Sequence, residues 1–216
     1  EYGSTMQNDA IFANDSIKHT GVLALGGQNL TNDIAFGLRT PMAAAEKIKI
    51  KHGAAIAEMV RPDEYIEVPS VGGREPRRLS RQVLAEICEP RMEEILTLLD
   101  QELVRSGLKN MIGAGVVLTG GTALIQGCQE LGEQVFNLPT RIGYPRNVGG
   151  LKDMVNSPKF ATAMGLLRFG AEKEGMEQKF RIRSDGNVFN SILSRMKKSG
   201  FSESFLTSGR SARCSL

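Results

Sequence analysis

The run Val116-Val117-Leu118-Thr119-Gly120-Gly121-Thr122-Ala123-Leu124-Ile125 decides how this 216-residue chain is read. From Gly113 to Leu118 the residues form an unbroken apolar and β-branched stretch of the kind a strand covered on both faces carries. It leads directly into Thr119-Gly120-Gly121-Thr122, and a helical pattern follows from Ala123 to about Leu131. A strand that delivers the chain through paired glycines to a helix places backbone amides, clear of side chains, at the positive helix end. Glycine suits that position because a Cβ would keep a ligand off the backbone. The plainer alternative for a glycine pair is a tight strand-to-helix turn.

Working outward, the neighbouring segments alternate strand and helix. Ala10 to Ala13, a turn at Asn14-Asp15-Ser16, and Ile17 to Leu25 predict a hairpin closed by Gly26-Gly27. A helix is expected over about Asn29 to Leu38. Thr40 offers an N-cap oxygen and Pro41 a first helical residue for a second helix, Ala43 to His52, with Gly53 as a left-handed stop. Tyr65 to Val68 alternates as a short strand. Ser80 caps a helix that Pro90 should interrupt or kink, which resumes through Met92, Ile95, Leu96, Leu99 and Leu103 and ends at Ser106-Gly107. Ser157-Pro158 opens a further helix bearing Phe160, Met164, Leu166, Leu167 and Phe169. The polar stretch 171–184 reads as a linker. Such alternation predicts an α/β layered domain.

Composition narrows the function classes. With 41% hydrophobic and 24% charged residues the chain can fill one core, or one core and a satellite. The opening Glu1-Tyr2-Gly3 has neither an initiator Met nor an apolar leader, so the chain is expected to be a fragment. Cys88, Cys128 and Cys214 stand far apart, which argues against a disulfide framework and for a reducing compartment. Only His19 and His52 are present, which disfavours His-based zinc sites and a Ser/His/Asp hydrolase. No apolar run approaches the length of a membrane span.

Glu46 and Lys49, three apart on the second helix, share one face. Taken alone they could be a solvated ion pair. The string from Val116 to Ile125, however, resembles the adenosine motif of the actin, Hsp70 and sugar-kinase superfamily, and Ala45-Glu46-Lys47-Ile48-Lys49 followed by Gly53 resembles the Glu-x-x-Lys segment that contacts ribose and base there. Ser16 to Thr20, Leu25-Gly26-Gly27 with Leu30 to Ala35, Val68 to Gly73, and Gly165-Leu166-Leu167 make the resemblance specific to the FtsA family of bacterial cell division, over about residues 10–198.

The resemblance implies an actin-like, ribonuclease H-like second lobe with a small outer α/β subdomain inserted. Residues 1–38 and 89–170 would form the inner subdomain and 39–88 the outer one. ATP would be held by Gly26, Gly27, Glu46, Lys49, Gly120, Gly121 and Thr122, with magnesium held mainly by a missing first lobe. It further implies actin-like self-polymerisation, binding to the FtsZ ring and other division proteins, and peripheral attachment to the cytoplasmic face of the inner membrane at the division site. Residues Glu1 to Asn8 keep little of the family's glycine-rich phosphate loop, which weakens the expectation of triphosphate binding, and with the first lobe's phosphate loop and metal-positioning acid also absent from this chain the fragment alone is expected not to hydrolyse ATP. The alternatives kept open are a pilus-assembly relative and half of an acetate- or sugar-kinase-like phosphotransferase.

The tail carries its own signal. Residues 179–216 hold eight Lys and Arg against two acidic residues, a net +6; subtracting it from the chain's +3 leaves −3 for the other 178 residues. After Asp185, the residues Val188, Phe189, Ile192, Leu193 and Met196 form one helical stripe flanked by Lys197 and Lys198, which predicts an interfacial helix over 185–198 drawn to an anionic membrane. Five apolar side chains at roughly 1.5–3 kcal/mol each oppose about 1–2 kcal/mol of backbone ordering per residue, so one tail binds weakly and many tails on one filament are needed. Residues 199–216 are Ser-rich and expected to be disordered. Aromatics are not interleaved with the basic residues, which disfavours nucleic acid as a partner.

Overall fold

A computed structural model describes residues 5–72, 74–146 and 155–184, with side chains as far as residue 172. The predicted membrane helix (Val188, Phe189, Ile192, Leu193, Met196, Lys197, Lys198), the tail after it, Cys214 and the start of the phosphate-loop remnant lie outside the described residues.

The hairpin is β1 (Gln7–Ala13) and β2 (Ser16–Leu23), antiparallel from Gln7 opposite Leu23 to Ala13 opposite Ser16. Its two-residue turn puts Asn14 and Asp15 at φ of 52° and 58°, the left-handed region these two residue types tolerate best after glycine. Ile11 faces the core, and His19 Nε2 lies 3.2 Å from Glu102 Oε1 of the long helix beneath.

Helix α1 (Gly27–Gly37) buries Leu30, Thr31 and Ile34, one stripe at helical spacing. Helix α2 (Met42–His52) buries Ala45, Ile48 and Lys49. Its ends differ from expectation. Thr40 does not cap it: the hydroxyl donates to Pro69 O at 2.7 Å, and Pro41 occupies the cap position. Gly53 is not left-handed, with φ of −56°; glycine is needed there because a Cβ would lie 2.5 Å from Lys49 O.

Strand β3 (Tyr65–Val68) pairs with β4 (Arg77–Ser80), which the charged Arg77-Arg78 pair concealed in the sequence. Arg78 stacks its guanidinium over the Tyr65 ring at 4.4 Å, so the pair that hid the strand helps to hold it. Ser80 caps α3 (Arg81–Arg105) by accepting from Gln82 N at 3.2 Å. Helix α3 runs through Pro90 without interruption. Pro90 and Glu86, whose carbonyl loses its helical partner, are both on the exposed side, where water can satisfy that carbonyl. The opposite face buries Leu84, Ala85, Cys88, Met92, Ile95, Leu96 and Leu99. One apolar cluster joins this face to α1, α2, β3 and the segments after residue 116, so the subdomain boundary expected at residue 88 runs inside a helix with a continuous buried face.

Strand β5 (Val116–Leu118) pairs in parallel with β6 (Thr140–Ile142), and among the described residues these two form a sheet of their own. The expectation of burial on both faces fails for Val117, which is 49% exposed; only Leu118 is fully inside. The helix expected from Ala123 is also displaced. Thr122–Leu124 form a single 3-10 turn, and α4 spans Cys128–Phe136. Gly127, at φ of 81°, separates them, and a bridge between Gln126 and Ala54 draws the intervening chain sideways. Cys88 and Cys128 are buried and unpaired, and burial pushes their thiols up to about 11 and about 12.

Ser157-Pro158 opens a 3-10 turn (Pro158–Phe160) and not the helix itself; α5 follows at Ala161–Ser184. The stretch 171–184, expected as a linker, is helical. The chain divides into one unit ending at Gly165 and a second beginning at Leu166. In the second, Leu166, Leu167 and Phe169 of the expected apolar stripe are exposed. No described helix is long and apolar enough to cross a membrane.

Candidate functional site

Gly27 is where the sequence-predicted residues meet. It opens α1, and a Cβ there would lie 2.5 Å from Thr122 Oγ1 and 3.4 Å from Lys49 Nζ. The glycine-turn segment and the Glu46/Lys49 helix therefore converge on one point, though some 70 residues separate them in sequence. Gly26 holds the entry to α1: its N–H donates to Asn29 Oδ1 at 3.0 Å, and its carbonyl accepts from Asn29 N at 3.0 Å.

Lys49 is 5% exposed, and the pair it makes is not the solvated one that spacing alone allows. Its ammonium donates to Gly27 O at 3.0 Å and to Thr31 Oγ1 at 2.8 Å, and reaches Glu46 Oε2 at 2.7 Å. An ammonium has three N–H donors, so all of Lys49 is engaged inside the protein. Thr31, which the sequence reading missed, links the set through its hydroxyl to Gly27 O and Glu46 Oε2. Its position four residues after Gly27 was the available signal, since a threonine hydroxyl reaches the carbonyl one helical turn back. Glu46 keeps 31% of its side chain exposed and its second oxygen has no partner among these bonds.

The other wall is bare backbone. Gly120, at φ of 95°, adopts a conformation that favours glycine, and its N–H donates to Pro158 O at 3.2 Å. Gly121 has an ordinary right-handed φ of −65°. Among the described residues neither glycine would have any heavy atom within 4 Å of an added Cβ. Thr119 fixes the turn from behind, donating to Gly143 O at 3.0 Å. The sequence placed this turn at an α-helix start; it opens a single 3-10 turn, which is too short to carry a helix dipole, so exposed backbone is what the turn offers a ligand.

Two further bonds hold the chain at and after the end of α2. Ala55 N donates to Gln126 O at 2.7 Å just beyond the two segments, and Arg81 Nε donates to the last carbonyl of α2, His52 O, at 2.8 Å. Burial, then the charges of Lys51 and Arg81, hold the His52 imidazole below its ordinary value. Among the described residues no group of three or more His, Cys, Asp or Glu gathers as a metal site.

Comparison with known proteins gives the chain its family and its fold. The family model described as cell division protein FtsA matches residues 1–165. Cell division protein FtsA of Pseudomonas aeruginosa is 43% identical over 204 residues, 92% of this chain and 48% of the relative. The Escherichia coli K12 protein of the same description is 44% identical over 177 residues, 79% of this chain and 42% of the relative. The chain thus spans about half the length of the curated relatives it matches. Among solved structures, MreB5 of Spiroplasma citri bound to ADP is similar with a TM-score of 0.57 at 18% identity, covering 80% of this chain and 53% of that one. That likeness shows the actin-like α/β fold expected from the sequence. The chain belongs to the FtsA family of cell-division proteins, with an actin-like fold.

Proposed function

We infer that this chain supplies the adenosine-binding half of an ATP-binding, filament-forming division protein that tethers the FtsZ ring to the cytoplasmic face of the membrane. The observation that carries the nucleotide reading is the convergence of Thr122 and Lys49 on Gly27, with Thr122 preceded in the chain by two glycines at which an added Cβ would meet nothing within 4 Å among the described residues. These residues fit a nucleoside. The half-exposed Glu46 carboxylate can accept from ribose hydroxyls, Lys49 and Thr31 hold that carboxylate in place, and the Gly120-Gly121 backbone leaves room for a base and sugar to lie flat. Bound ATP would supply the energy and the contact surface for assembly. Magnesium and the terminal phosphates would be held mainly by residues beyond this chain. MreB5, which shares the fold, has been solved with ADP and with AMPPNP.

The membrane and partner roles rest on family membership and on the basic, amphipathic 185–198 segment. The test of the whole reading uses the full-length protein. It should bind a fluorescent ATP analogue, be competed by ATP and ADP, and carry FtsZ to anionic vesicles more strongly as filaments than as monomers. Absence of saturable ATP binding overturns the nucleotide reading, and equal vesicle binding by FtsZ with and without the protein overturns the tethering role.

A further inference from the structure

We propose that Arg81 is a positioning residue for the nucleoside site, fixing the Glu46/Lys49 helix against the chain that leaves the glycine turn. This rests on the nucleotide reading above. Arg81 is the first residue of α3, and its side chain is only 14% exposed although it carries a full charge. Its three donor positions reach three different segments. Nε donates to His52 O at 2.8 Å, one Nη to Glu64 Oε2 at 2.5 Å, and the other to Gln126 Oε1 at 2.5 Å.

Each contact does something definable. His52 O belongs to the unsatisfied carbonyl end of α2, where a cation is favoured by both hydrogen bonding and the helix dipole. Glu64 balances the charge and also accepts from Arg81 N through its backbone carbonyl at 2.9 Å. Gln126 lies four residues after Thr122, and its own carbonyl holds Ala55 N at 2.7 Å. The rigid planar fork of an arginine can satisfy this geometry, whereas a lysine point charge cannot. The guanidinium thus sets the distance between α2, with its ribose-facing carboxylate, and the Gly120-to-Thr122 wall. It stands behind the site, so it acts through these elements and not on the ligand.

Gln126 provides the cleanest test because it is exposed, so its replacement leaves the core untouched. In the full-length protein titrated with a fluorescent ATP analogue, Gln126→Leu should weaken binding about tenfold, within the range of measured coupling between contacting residues. ATP and adenosine should lose the same factor, since the disturbed walls face the nucleoside. Gln126→Glu keeps an acceptor for the guanidinium and should bind as the parent does. Arg81→Met should weaken binding at least as much as Gln126→Leu, and the double variant no more than Arg81→Met alone. Parent-like affinity in Gln126→Leu, or losses that multiply in the double variant, overturn the proposal while leaving the nucleotide reading intact. A parent that binds no nucleotide overturns both. Unfolding curves in urea accompany each variant, and Gln126→Leu carries the test if Arg81→Met does not fold.

Discussion

The two walls that meet at Gly27 are built in opposite ways. On the α1/α2 side every donor of Lys49 is spent within the protein and a buried threonine joins the same network, so this wall is held by its own polar bonds. On the Gly120-Gly121 side the backbone is open, with nothing among the described residues within 4 Å of an added Cβ at either glycine. One wall is rigid because its charges are satisfied; the other is accessible because it lacks side chains. A lysine in the first therefore contributes stability, and a glycine in the second keeps the backbone uncovered.

Breaking the closed wall should produce the largest effect. Lys49→Met leaves Gly27 O, Thr31 Oγ1 and the partly exposed Glu46 carboxylate without their cation, and stranding these acceptors costs about 3 kcal/mol. A urea midpoint that falls accordingly supports the engaged role of Lys49; an unchanged midpoint would mean its bonds are exchanged freely for water. Next comes the meeting point itself. Gly27→Ala drives a Cβ to 2.5 Å from Thr122 Oγ1, an overpacking that costs about 2 kcal/mol. Adding Thr122→Ala should recover much of that loss, and strict additivity of the two would place the clash elsewhere.

The smallest effect is a pH dependence at the end of α2. His52 is held below its ordinary 6.5, by burial first and then by Lys51 and Arg81. The folded state thus prefers the neutral ring. As pH falls from above 6.5 through the lower folded value, the unfolded chain takes up a proton that the folded one resists, and stability declines. This slope should disappear in His52→Gln when urea midpoints are compared on the two sides of that window.

Much of this architecture was legible in the residues. The hairpin turn at Asn14-Asp15, the α3 cap at Ser80 and the stop at Ser106-Gly107 each depend on a local rule, and each stands where the sequence placed it. What could not be read depends on partners distant in sequence. Strand β4 exists because Tyr65 to Val68 lies beside it, and α4 starts late because Gln126 bonds to Ala54 and Ala55. Likewise, spacing put Glu46 and Lys49 on one face, but only the fold could bury the lysine against Gly27 and bring Arg81 behind them. Pro90 illustrates the converse: a local rule predicted a break, and an exposed position let the helix pass through.

Gly121→Val tests the central claim most directly. The residue has an ordinary helical φ and open space around an added Cβ, so unfolding stability should hold within about 1 kcal/mol. The affinity of the full-length protein for ATP should fall at least about a hundredfold, a change of nearly 3 kcal/mol, because the new side chain fills the space where the nucleoside would lie. Unchanged ATP affinity in a folded Gly121→Val protein would contradict the account.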